Sequence, residues 1–141
     1  MDGVTVTPLK IINNPKGDIL HALKCSETSF SSFGEAYFSI IKEQEIKGWK
    51  KHHKMVLNLT VPFGKVKFVI YDDRENSPTS GQFKEITISK KNYVRLTVQP
   101  GLWVGFKGID NQENIILNIA SIEHEPDEAE NTLLNNLKYS W

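Results

Sequence analysis

The chain has 141 residues, which fits one domain over residues 1–141 with a core able to fold alone. Lysine plus arginine balances aspartate plus glutamate, 17 against 17, which argues against a general nucleic-acid or membrane-surface binder and leaves any hold on an anion to a local site. A single cysteine, Cys25, excludes an internal disulfide and points to the reducing cytoplasm, and the chain shows neither the apolar run of a signal peptide nor the ~20 apolar residues of a membrane helix.

In chain order, apolar residues recur with a period near two rather than the helical 3.6. Thr5 to Ile12 reads as a strand ending at the turn Asn13-Asn14-Pro15-Lys16-Gly17. Asp18 to Leu23 is a short bend or strand, and Ser26 to Ser32 a loop. Gly34 to Ile41 has the aromatic and β-branched mix of a strand, and Lys42 to Gly48 reads as a polar turn. Met55 to Val61 and Lys65 to Tyr71 are strands joined at Pro62-Phe63-Gly64. After a polar loop, Asp72 to Gly81, come Phe83 to Ser89 and the alternating Tyr93 to Val98. Leu102 to Phe106 and Ile115 to Ile119 complete the series. About eight to ten short strands, separated by Pro, Gly and Asn turns, describe an antiparallel sandwich or barrel. Only Asp127 to Leu137 has a helical reading, with Asp127, Glu128 and Glu130 near the end where a helix dipole favours negative charge.

The segment YDDRENSPTSGQF, Tyr71 to Phe83, resembles the loop of the dTDP-4-dehydrorhamnose 3,5-epimerase family, where an acidic residue, Arg and Ser-Pro-Thr-x-Gly follow a central strand. Here those positions are Asp73, Arg74, Ser77, Pro78, Thr79 and Gly81. Gly64 falls at the turn before that strand. Pro100, Gly101, Gly105 and Phe106 keep step with the family's late strand and its Pro-Gly turn. Gly17-Asp18 sits where the family has an early Gly-Asp, and Lys47-Gly48-Trp49 where it has Arg-Gly-Leu. The resemblance implies an all-β, cupin-type jelly roll, to which the tail would add a short C-terminal helix. It also implies a homodimer, a nucleotide-linked 4-keto sugar as partner, and proton removal beside the ketone without metal or organic cofactor. Such chemistry needs a base, an acid and positive charge for the enolate oxygen.

Several positions depart from the family. Lys50 stands where the family has its catalytic histidine, Leu57 where it has a lysine, Val104 where it has a late histidine, and Leu117 or Asn118 where it has a tyrosine. The stretch Lys47 to His53 is also similar to the Arg-Gly-x-His-Ala-His-Lys pattern of the sugar-nucleotide 3,4-ketoisomerases, with His52 matching the second histidine. On a strand, residues two apart share a face, which would turn Lys50, His52 and Lys54 together toward the barrel mouth, with Lys51 and His53 behind. Asn58 carries the same parity if no bulge intervenes.

Lys50 and His52 are therefore the candidate catalytic residues; imidazole titrates near ~6.5 and suits a proton carrier at neutral pH. Lys47, Lys54, Asn58, Arg74 and Trp103 are the candidate binding residues. A metal site is not expected, because His52 and His53 face opposite ways and no further ligand follows at cupin spacing. The expected function is epimerisation or isomerisation of a 4-keto-6-deoxy sugar nucleotide in polysaccharide or glycoconjugate synthesis. The alternative is a non-catalytic cupin that binds a sugar nucleotide or a protein partner, since the usual histidine and tyrosine are missing.

Overall fold

The computed structural model describes residues 1–141. Its strands are β1 (Val4–Pro8), β2 (Ile11–Ile12), β3 (Ile19–Leu20), β4 (Glu35–Ile41), β5 (Ile46–His52), β6 (Leu57–Phe63), β7 (Lys65–Tyr71), β8 (Phe83–Ser89), β9 (Val94–Val98), β10 (Trp103–Gly108), β11 (Asn114–Ala120) and β12 (Ala129–Asn131). Two five-stranded sheets carry the fold, in the orders β1-β9-β6-β11-β4 and β12-β5-β10-β7-β8, and β2-β3 form a separate two-stranded ribbon. The sheets lie face to face as a jelly-roll sandwich, and strands consecutive in sequence often sit in opposite sheets.

Period-two patterning places the core between the sheets. Leu57, Leu59 and Val61 of β6 and Val94, Leu96 and Val98 of β9 meet Val66, Phe68 and Ile70 of β7 and Val104 of β10. A second apolar layer covers the outer side of the other sheet. There Trp49, Val69 and Trp103 are roofed by Phe83, Tyr139 and Trp141. Burying aromatic rings on both sides of one sheet explains why β7, between β10 and β8, reads as almost continuously apolar (KVKFVIY).

The tail departs from the helical expectation over residues 127–137. It forms a single 3₁₀ turn at Pro126–Glu128, then β12, then a second 3₁₀ turn at Leu134–Asn136. The physical reason is tertiary. Glu128 is drawn inward to 3% exposure by a side chain on β5, and the next residues pair with the free edge of that strand: Ala129 with His52, Glu130 with Lys51, Asn131 with Lys50. No helix is long and apolar enough to cross a membrane.

One buried amide ties three strands together. Asn114 Oδ1 accepts the N–H groups of Lys65 (2.8 Å) and Asp110 (3.2 Å), and its Nδ2 donates to the carbonyls of Ile41 (3.1 Å), Gln112 (3.0 Å) and Asp110 (3.2 Å). The turn at Gly64 makes room for it: Gly64 has φ of 81°, and a Cβ there would lie 2.6 Å from Asn114 Oδ1. Asn114→Ala strands backbone groups of β4, β7 and the 110–112 turn, and is expected to lower stability by about 3 kcal/mol, read as a drop in urea midpoint at unchanged m-value.

Candidate functional site

The site grows from an irregularity in β5. Against β10, Lys51 faces Trp103 and Lys50 faces Val104; the register then slips, so that Lys47 faces Phe106 and Ile46 faces Lys107. The extra residue around Gly48 and Trp49 is a β-bulge. It brings Lys47 and Lys50, three apart in sequence, onto the same inner face, while Trp49 and Lys51 take the outer one. Gly48 at the bulge lets the tail pack closely: a Cβ there would lie 2.2 Å from the Leu134 Cδ2 methyl, which would have to shift.

A cavity of about 240 Å³ opens between the sheets at this point. Leu59, Val104, Phe106 and Ile116 form its apolar wall, and Tyr37, Ser39, Lys47, Lys50, Asn118 and Asn131 supply its polar groups. No carboxylate lines it. Lys47 Nζ donates to the Ile40 carbonyl (2.9 Å) and Ser39 Oγ (3.3 Å), and Lys50 enters no ion pair. Asn118 of β11 lies directly across from Tyr37 of β4, and its Nδ2 donates to the Tyr37 hydroxyl at 3.0 Å. Asn118 is 2% exposed, and its Oδ1 has no partner.

His52 lies on the same face as Lys50, two residues on, just past the cavity lining. It is 6% exposed, and its Nδ1 stands 2.6 Å from Glu128 Oε2. The other carboxylate oxygen, Oε1, accepts the N–H groups of Lys54 and Met55, both at 2.8 Å. Burial pushes the Glu128 carboxyl up. The hydrogen bond from His52 and the two backbone N–H groups outweigh burial and bring it down to about 2. An ionised carboxylate only accepts, so Nδ1 carries the proton. That leaves Nε2, which has no partner in the chain and is not among the sealed polar atoms.

The other candidates from the sequence lie elsewhere. Lys54 does not join Lys50 and His52, because the chain bends after β5; its side chain is exposed and only its backbone N–H is engaged, with Glu128. Asn58 does not share the cavity face either. Its strand, β6, belongs to the opposite sheet, so parity does not carry over. Leu57 and Leu59 turn inward, and Asn58 turns outward to accept Thr97 Oγ1 at 2.8 Å. Arg74 is held in its own loop, where Nε and one terminal nitrogen bond Asp72 at 2.9 Å each, and the same terminal nitrogen reaches Asp2 and Ser77. The Arg74 guanidinium keeps the Asp72 carboxyl well below the usual carboxylate range. Trp103 sits on the outer face, with Nε1 on Asp73 at 2.7 Å and Lys51 Nζ 4.6 Å from its ring centroid. No cluster of three or more His, Cys, Asp or Glu side chains could hold a metal ion.

Sequence reasoning missed Tyr37, Ser39, Asn131 and Glu128. Tyr37 and Ser39 had a signal: in EAYFSII they alternate with Phe38 and Ile40, and polar groups on one face of a strand deserve to be tested as the inner face. Glu128 had none, since its partner lies 76 residues away.

The Glu128 carboxyl is depressed on folding, so its contribution to stability is fully present above about pH 4.5 and is lost as pH falls through about 2. Glu128→Gln is expected to cost on the order of 3 kcal/mol at pH 7, with the difference from wild type vanishing toward pH 2, read from urea unfolding across that range.

No family model matches the chain. A dTDP sugar isomerase from Desulfovibrio desulfuricans G20 superposes with a TM-score of 0.96 at 34% identity, over 99% of this chain and 91% of that one. The probable low-salt glycan biosynthesis epimerase Agl13 of Haloferax volcanii is 25% identical over 117 residues, 82% of this chain and 75% of its own. The 3,5-epimerase RmlC of Legionella pneumophila, in complex with dTDP-4-keto-L-rhamnose, shares the fold at a TM-score of 0.87 and 18% identity, over 100% of this chain and 79% of that one. With the jelly roll, the Ser-Pro-Thr loop and 34% identity along nearly the whole chain to a dTDP sugar isomerase, this protein belongs to the dTDP-4-dehydrorhamnose 3,5-epimerase-like cupin family.

Proposed function

We propose that the chain epimerises or isomerises a nucleotide-linked 4-keto-6-deoxy sugar, in the making of a surface polysaccharide or glycoconjugate. A base removes the proton from a carbon beside the ketone, and the electron pair moves onto the carbonyl oxygen. The proton then returns to the opposite face of the same carbon; or, where that carbon bears a hydroxyl, the hydroxyl proton passes to the former carbonyl oxygen, the carbon becomes the new ketone, and the proton is delivered to the former carbonyl carbon. Neither route needs an oxidant or reductant.

One observation carries this proposal: the Tyr37–Asn118 pair inside a cavity that holds two lysines and no carboxylate. The family's tyrosine is absent at 117 or 118, which on sequence favoured a non-catalytic binder. A phenol nevertheless enters the cavity from the neighbouring strand, at the register position opposite Asn118. The Asn118 N–H on its oxygen stabilises the phenolate left after proton donation. Lys50, with Lys47 nearer the rim, supplies positive charge where the enolate oxygen develops. In a cavity with an apolar wall that charge acts at a lower effective dielectric than in water. His52, with Nδ1 held by Glu128, offers Nε2 as the base. Lys47 also suits the anionic diphosphate, as a point charge rather than a fork.

The same proposal includes a homodimer in the cytoplasm. β4 is an edge strand, and its outward Phe38 (67% exposed) and Ile40 (47%), with Phe33 (65%) just before it, form an apolar strip that a second copy would cover. The free, exposed Cys25 fits a reducing compartment.

Proton NMR in D2O with dTDP-4-keto-6-deoxyglucose tests the chemistry. The C3 or C5 proton signal is expected to disappear, with Tyr37→Phe and Lys50→Ala each slowing exchange by about 100-fold or more. Saturable binding without exchange would instead support the non-catalytic cupin.

A further inference from the structure

The tail brings a second polar group to Lys50. In the antiparallel pairing of β12 with β5, Asn131 lies directly opposite Lys50, and Glu130 opposite Lys51. Side chains so paired leave the same face of a sheet, with Cβ atoms about 4.5–5.5 Å apart. The contacts follow that alternation. Glu130 turns outward and meets Lys51 at 3.2 Å, while Asn131 lines the cavity together with Lys50.

Both polar ends can meet a ligand. Asn131 is exposed, and no group of the protein engages its amide. The two carboxylates of the tail beside it are spent elsewhere, Glu128 on His52 and Glu130 on Lys51. The Asn118 amide is held by the Tyr37 hydroxyl, whereas that of Asn131 is free to swing and present its N–H. An ammonium only donates, so a ligand atom shared between Lys50 and Asn131 is an acceptor. In enolate chemistry the acceptor that gains charge is the ketone oxygen. Resting on the keto-sugar reading above, we infer that Asn131 Nδ2 donates a hydrogen bond to that oxygen beside Lys50, and that the two side chains form one oxyanion site built across β12 and β5. A lysine is a flexible point charge; a second donor on the neighbouring strand fixes where the oxygen sits. Asn131 is thus a catalytic residue carried by the tail. Its bond strengthens as the ketone becomes an enolate, so it serves the chemical step more than binding.

The test follows D2O exchange into dTDP-4-keto-6-deoxyglucose over a range of sugar concentrations. Asn131→Ala is expected to lower kcat about 100-fold, the lower end for an oxyanion donor because the site is exposed, with KM changed no more than about threefold. Its Tm is expected to stay at the wild-type value, since the side chain holds nothing in the protein. Asn131→Asp sets a carboxylate beside Lys50 and is expected to be slower than Asn131→Ala. Asn135→Ala, at an exposed tail asparagine outside the cavity, is expected to match wild type, which separates the contact from a general loosening of the tail. An Asn131→Ala protein with wild-type kcat overturns the inference, and so does a loss confined to KM. The two proposals fail distinguishably. Wild type without exchange sinks the keto-sugar chemistry and this inference with it; exchange at equal rates in wild type and Asn131→Ala sinks this inference alone.

Discussion

A buried carboxylate organises this end of the molecule. Glu128 has two oxygens and three donors, the His52 ring and the N–H groups of Lys54 and Met55, so its charge is fully met inside the protein. All three donors lie within one short stretch, where β5 ends and the chain crosses to the other sheet. Fastening the tail there starts the pairing of β12 along β5. The pairing continues as Thr132 N–H donates to the Trp49 carbonyl and Trp49 Nε1 to the Leu134 carbonyl, and it ends with the Trp141 ring against Gly105. Removing the charge at Glu128 would therefore loosen more than a histidine. It would loosen the edge strand that brings Asn131 beside Lys50.

The two faces of β5 show how one strand separates structure from chemistry. On the outside, Lys51 lies over Trp103 and is matched by Asp73 and Glu130. Burial alone would lower its proton affinity, and those hydrogen bonds outweigh it and raise it instead. On the inside, Lys50 meets no carboxylate, and the bulge adds Lys47 to the same side. Unmatched positive charge in a partly apolar cavity is costly to an empty protein and favourable to a bound anion or a developing oxyanion.

β4 has the matching inversion on the opposite sheet. Its large apolar side chains, Phe38 and Ile40, point away from the sandwich, and its polar ones, Tyr37 and Ser39, point in. A strand patterned this way would be a folding error if the interior were only a core. It is consistent where the interior is a ligand cavity and the exterior is covered by another surface.

The strand series and the sandwich were legible in the sequence, because alternation is a local property and short strands bounded by Gly, Pro and Asn report themselves. Lys50 and His52 were legible as sharing a face from their spacing, and Lys47 as a binding candidate from its likeness to relatives, whereas the bulge that turns Lys47 to the side of Lys50 was not. Asn58 and Lys54 were misplaced, because parity holds only along one unbroken strand, and the chain bends after His52 and crosses to the other sheet. Arg74 and Trp103 belong to the right loop and the right strand, yet their partners, Asp72 and Asp73, keep them outside the cavity. What the sequence by itself determined is therefore the class of fold and the charge offered by β5, both set by residues close together in the chain. Only the tertiary structure decided that Tyr37 stands beside Asn118 and that Glu128 holds His52. Those pairs lie 81 and 76 residues apart, and nothing local specifies a contact made across a strand pair or from a returning tail.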